Sequence, residues 1–79
     1  MSNMKTIFNE NYKKIIDWLV SKRLLTGITQ EKLADILKKP QSYVSKYENR
    51  ERRLDLLEFL DICKAIDADP KEIIKLLSR

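Results

Sequence analysis

A chain of 79 residues with one glycine and two prolines has almost no material for tight turns or hairpins. Its Leu, Ile, Lys and Glu favour helix instead, so the few breakers it does have must mark helix ends. Read that way, the chain divides into five helical segments. The first carries Tyr12, Ile15, Ile16, Leu19, Val20 and Leu24 at helical spacing, begins near Asn9 and stops before Gly27, a residue suited to a left-handed cap. Thr29 caps a second segment whose inward side is Leu33, Ala34 and Leu37. The third starts after Lys39-Pro40 and runs to about Asn49. Asp55, with Glu58 three positions on, has the spacing of a capping box, and places Leu56, Phe59, Leu60, Cys63 and Ile66 inward. Asp69, Pro70 and Glu72 repeat the signal for a fifth helix with Ile73, Ile74, Leu76 and Leu77. These readings give an all-α fold of five helices in a single domain over residues 1–79, with residues 1–8 either an arm or an extension of the first helix.

Several classes of function fall away at this point. There is no histidine and one cysteine, so neither an internal disulfide nor a Cys/His zinc site is expected, and a reducing cytoplasm is the natural compartment. Cys63 falls on a core-facing position, where an inert buried thiol is expected. No apolar run exceeds three residues, so no membrane span is expected. Without a histidine or an acid–nucleophile constellation beside a glycine-rich loop, general acid–base and covalent catalysis have nothing to run on; no enzyme activity and no cofactor are expected.

The charge is informative by where it sits. Between Lys38 and Arg53 stand Lys38, Lys39, Lys46, Arg50, Arg52 and Arg53 against Glu48 and Glu51, and the resulting +4 is the excess of the whole chain. That window overlaps the third helical segment, in which Gln41, Ser45 and Asn49 fall on one face with Ser42 and Lys46 beside them. A short helix carrying amides, hydroxyls and an ammonium inside the basic window points to a polyanion partner.

The stretch GITQEKLA (27–34) followed by SYVSKYEN (42–49) resembles the helix-turn-helix of the lambda-repressor-like, or XRE-type, transcription regulators. The resemblance covers roughly residues 12 to 77, and the unit itself would span 30–49, with Ala34, Val44 and Tyr47 at the positions where the motif wants one small and two apolar residues. It implies a five-helix lambda-repressor-like domain that binds double-stranded DNA with its third helix in the major groove. Gln41, Ser42 and Lys46 are then the expected base readers, amide to adenine and ammonium to guanine, with Tyr43 flanking them. For Gln41 and Ser42 the rival is helix capping; for Tyr43 the core edge, a phosphate contact and a thymine-methyl contact stand level. Phosphate contacts are expected from Gln30, at the start of the second helix, and from Ser45, Asn49, Arg50, Arg52, Arg53, Lys38 and Lys39. Arg52 and Arg53 could instead pair with Glu51, Asp55 or Glu58.

The resemblance further implies an ion pair between Arg23 and Glu48. It also shows departures: the family commonly has glycine where this chain has Lys38, Arg50 and Asp67, and an apolar residue where it has Lys39. The expected function is a regulator of transcription, bacterial or phage in type, acting as a homodimer. The alternative is a protein-interaction module of the same fold, an antitoxin or adaptor whose main partner is a protein. For the dimer seam the fifth helix, 69–79, offers Ile74 and Leu76; the rival is the N-terminal segment with Ile7, Phe8 and Trp18.

Overall fold

The structure is a computed structural model that describes residues 9–78, and Ile7 and Phe8, one candidate seam, lie outside that range. Among the described residues there are five helices and no strand: α1 Glu10–Thr26, α2 Gln30–Leu37, α3 Gln41–Glu48, α4 Leu56–Ala65 and α5 Pro70–Leu77. Each start has the residue chemistry that a helix start requires. The Asn9 side chain accepts from the backbone N–H groups of Asn11 and Tyr12, Thr29 accepts from Lys32, and Asp69 accepts from Lys71. Asp55 and Glu58 close a reciprocal capping box. α3 alone begins without a side-chain cap; Pro40, which has no N–H to satisfy, stands at its N-cap.

The first four helices all stop by one device. A residue in the left-handed region follows each of them: Gly27 (φ 76°), Lys38 (φ 59°), Arg50 (φ 60°) and Asp67 (φ 56°). The next N–H then reaches back across the end, from Ile28 to the Arg23 carbonyl, Lys39 to Ala34, Glu51 to Lys46 and Ala68 to Cys63. These bonds close the Schellman motif and satisfy carbonyls the helix leaves open. Only the first of the four joints uses glycine. The other three hold a Cβ in a conformation that costs on the order of 1 kcal/mol each.

The core gathers from every helix: Ile16 and Leu19 from α1, Leu33 and Ala34 from α2, Val44 and Tyr47 from α3, Ile62, Cys63 and Ile66 from the α4 segment, and Ile73 from α5. Ala34 has its expected place, small enough to let α2 and α3 pack closely. Two sequence readings need correction. On α1, Leu24 is exposed and Arg23 is buried in its stead, continuing the stripe Tyr12, Ile16, Leu19. On α4, Leu56 and Leu60 were expected inside and are exposed, while Ile62 is fully buried. The reason is rotational: Phe59, Ile62, Cys63 and Ile66 form the i, i+3, i+4, i+7 stripe, Leu60 falls at its edge, and Leu56 sits in the first turn. Leu56 lies at the rim of a groove of about 270 Å3 that Tyr12, Ile15, Phe59, Ile73 and Leu77 also line.

The left-handed joints yield a stability prediction. Asp67→Gly, at an exposed position, should stabilise the fold by about 1 kcal/mol, read as a rise of roughly 4–8 °C in Tm. Gly27→Ala should lower it by a similar amount although nothing lies within 4 Å of the added methyl, because its backbone angle alone disfavours a Cβ. A Tm unmoved in both variants would show that the joints carry no strain.

Candidate nucleic-acid interface

α3 is divided lengthwise. Tyr43, Val44 and Tyr47 are buried, and Gln41, Ser42, Lys46 and Asn49 are exposed, with Ser45 and Arg50 half-buried. The polar face anticipated from the 3.6-residue period is therefore present at the surface. It is flanked by Lys38 and Lys39, exposed in the joint before α3, and by Arg53, exposed in the segment after it. The left-handed residues Lys38 and Arg50 stand at the two ends of α3's approach and departure, so two of the strained joints also carry cations of this face.

The tilt of α3 is set from behind by Arg23 and Glu48. Arg23 Nε donates to Glu48 Oε2 at 2.7 Å and Nη2 donates to Oε1 at 3.0 Å, the two-pronged arrangement in which a guanidinium binds a carboxylate most strongly. The pair is enclosed, with side chains 10% and 6% exposed. Two more bonds extend the network: Arg23 Nη1 donates to the Ile28 carbonyl at 2.8 Å, and Gln30 Nε2 donates to Glu48 Oε1 at 2.9 Å. The hydrogen bond from Arg23 to Glu48 raises the guanidinium pKa against the opposing effect of burial. Glu48 is the last residue of α3, where the helix dipole disfavours an anion, and Arg23 offsets that too. One carboxylate thus joins the end of α1, the start of α2 and the end of α3.

A second cluster holds the other end. Tyr43, expected beside the base readers, is buried at the core edge and leaves the reading face. The Lys39 ammonium lies 5.3 Å and the Arg52 guanidinium 4.8 Å from its ring centroid, and Tyr47 meets it edge-on at 5.9 Å. Burial first, and then the nearby Glu58 charge, push the Tyr43 hydroxyl up to about 12. Of the two arginines with a rival reading, Arg52 takes it: Nη2 lies 2.9 Å from Glu58 Oε2, and Nη1 donates to Oε1 at 3.1 Å. The Arg52 hydrogen bond holds the Glu58 carboxyl below its ordinary value, so the pair is intact at neutral pH and is lost only as acid protonates Glu58.

The role of Gln30 in the ion-pair network and the packing of the Arg52 guanidinium on the Tyr43 ring were not anticipated. Glu58 had a visible role as the capping-box acid and stood among three candidate partners of Arg52; the structure gives the one carboxylate both roles. Cys63 is buried, and burial pushes its thiol up to about 11, away from reactivity. Trp18 is half-buried against Phe59, with the Lys22 ammonium over its ring and the Lys22–Glu72 ion pair beside it.

A short helix with a polar outer face, braced by a buried ion pair and preceded by a second helix that packs closely on it, defines a helix-turn-helix protein. A helix-turn-helix family model matches residues 19–73, and the chain belongs to the XRE-type helix-turn-helix family of DNA-binding regulators. Its fold is similar to a solved structure described as an XRE-family like protein from Pseudomonas syringae pv. tomato str. DC3000. That protein is 49% identical, with 96% of this chain and 94% of that chain covered and a TM-score of 0.84. No curated protein matches the chain. Among the described residues no helix is long and apolar enough to cross a membrane.

The ion pair predicts a coupled loss. Glu48→Gln leaves Arg23 enclosed without its counter-charge and should cost about 3–5 kcal/mol of stability. Thermal unfolding followed by circular dichroism would measure it. A mutant melting at the wild-type temperature would show that the pair does not brace the fold.

Proposed function

We propose that the protein is a sequence-specific double-stranded DNA-binding regulator of transcription that works as a homodimer on a palindromic operator, with α3 lying in the major groove. The observation that carries this reading is the exposed row Gln41, Ser42 and Lys46, set within the one segment that holds the chain's entire excess of positive charge. Major-groove edges present donors and acceptors that an amide and an ammonium match. Lys38, Lys39, Ser45, Asn49, Arg50 and Arg53 surround that row and are the groups for the phosphate backbone, where they add affinity without reading sequence. Gln30 joins them through the open N–H groups of the first turn of α2, while its side-chain amide is held by Glu48.

The dimer follows from how little one copy can read. A helix of eight residues spans a few base pairs, and two copies about a two-fold axis double the contacts, with half-sites about 34 Å apart or a multiple of that. The apolar surface on α5 supports a seam there: Ile74 and Leu76 are each 56% exposed, while Ile73 faces the core. Leu56 and Leu57 at the start of α4, 69% and 72% exposed, add to the uncovered apolar area.

Two measurements test the proposal. Gln41→Ala and Lys46→Ala should each cost about 1–3 kcal/mol on the cognate site and relax preference at particular base pairs, read by selection from random duplexes and by titration. Equal weakening on cognate and random DNA would remove them from base reading. Sedimentation at micromolar concentration should find a dimer that Ile74→Asp dissociates. A wild-type monomer even on operator DNA would end the dimer proposal, and a dimer indifferent to the substitution would move the seam away from α5.

A further inference from the structure

Arg52 stands in the basic segment after α3, among residues suited to phosphate, yet its guanidinium is engaged elsewhere. Both of its terminal nitrogens lie on Glu58, and its Nη1 also donates to the Arg53 carbonyl at 3.3 Å. The partner is the more enclosed of the two, Glu58 being 20% exposed against 40% for Arg52. Glu58 is itself fixed by the backbone, because Oε1 accepts the Asp55 N–H at 2.9 Å while the Glu58 N–H donates to Asp55 Oδ1 at 2.8 Å. Tyr43 meets this pair through its ring, the Arg52 guanidinium lying 4.8 Å from the ring centroid. A single carboxylate therefore ties the start of α4 to the segment after α3, and reaches Tyr43 in α3 through Arg52.

Charge makes the arrangement conditional. Two cations, Lys39 and Arg52, lie within cation–π range of one Tyr43 ring and repel each other. Glu58 neutralises one of them. Without that negative charge only the ring and the Arg53 carbonyl hold Arg52 in place against the repulsion of Lys39, and its exposed end can turn toward solvent.

We propose that Glu58 is a positioning residue for the DNA-reading helix, which holds Arg52 on Tyr43 to fix the N-terminal end of α3 and thereby withholds that arginine from the phosphate backbone. The proposal rests on the DNA-binding reading given above. It gives Arg52 a role in the geometry of α3 that its place in a basic segment would not suggest.

Glu58→Gln is the discriminating substitution, since its amide oxygen still accepts the Asp55 N–H, while the charge and the second acceptor, which faces Arg52 Nη2, are lost. On random duplex DNA this variant should bind several-fold more tightly than wild type at low salt. The slope of log affinity against log salt should steepen by about one unit, the signature of one added phosphate contact. Its preference for cognate over random DNA should fall, because the reading end of α3 is no longer fixed. Arg52→Ala alone should leave the salt slope at the wild-type value, and in the Glu58→Gln background it should abolish the steepening. A Glu58→Gln slope equal to or shallower than wild type, in a protein that still melts cooperatively, would overturn the proposal. If Glu58→Gln does not fold, Arg52→Ala decides: a slope flattened by about one unit would place Arg52 on phosphate and overturn it equally. A wild-type protein that binds neither random nor selected DNA would fail the functional reading itself, and this inference with it.

Discussion

The carboxylate of Glu48 is the point from which the rest of the interface takes its orientation. Enclosed among Arg23, Gln30 and the ends of three helices, it is satisfied on every side the structure describes, and it can be tolerated only in that company. An apolar residue in its place could pack as well, but would accept several rotations of α3 about equally. Two charged hydrogen bonds at 2.7 and 3.0 Å accept essentially one. The pair therefore contributes less to net stability than to the definition of an angle, and the proposed placement of α3 in the major groove depends on that angle.

The same logic of fixing from behind recurs at the other end of α3, where Arg52, held by Glu58, lies over the Tyr43 ring. Between these two braces the outer face of the helix is left to polar side chains that make no contribution to the core. This separation lets the outer residues vary without disturbing the fold: Gln41, Ser42 and Lys46 are exposed, whereas the residues that anchor the helix, Val44 and Tyr47, are fully buried. Cation placement follows a similar economy, since Lys38 and Arg50 are at once helix-ending residues and parts of the basic rim.

What the sequence made legible was mostly local. Asn9, Thr29, Asp55 and Asp69 cap their own next turn, so their roles follow from a few neighbouring residues and hold in the structure. Lys38, Arg50 and Asp67 could be assigned to joints because glycine is common at those places in the resembling family, and all three adopt positive φ. The misplaced residues, Leu24, Leu56 and Leu60, share a different cause. Each lies at the margin of an apolar stripe or in a terminal turn, and whether a margin is covered depends on how another helix crosses it, which no local pattern contains. Arg23 and Glu48 are 25 residues apart, and their pairing came from the family resemblance; the Gln30 bond to Glu48 and the packing of Arg52 on Tyr43 had no such guide, while Arg52 and Glu58, six apart, were within reach of a local reading.

The uniform helix joints have a kinetic consequence. Because each of the first four helices is closed by a bond between residues five apart, the chain is turned back on itself by local events, one joint at a time. α2 and α3, the two helices most extensively packed together, are also neighbours in sequence. Such a topology has low contact order, a property associated with folding in microseconds to milliseconds. The ties that span long stretches, Arg23 to Glu48 across 25 residues and Leu54 to the Tyr12 hydroxyl across 42, close loops that the joints have already shortened. On this view the helix-turn-helix assembles early from its own sequence, and the buried ion pair acts afterwards as a lock on the rate of opening.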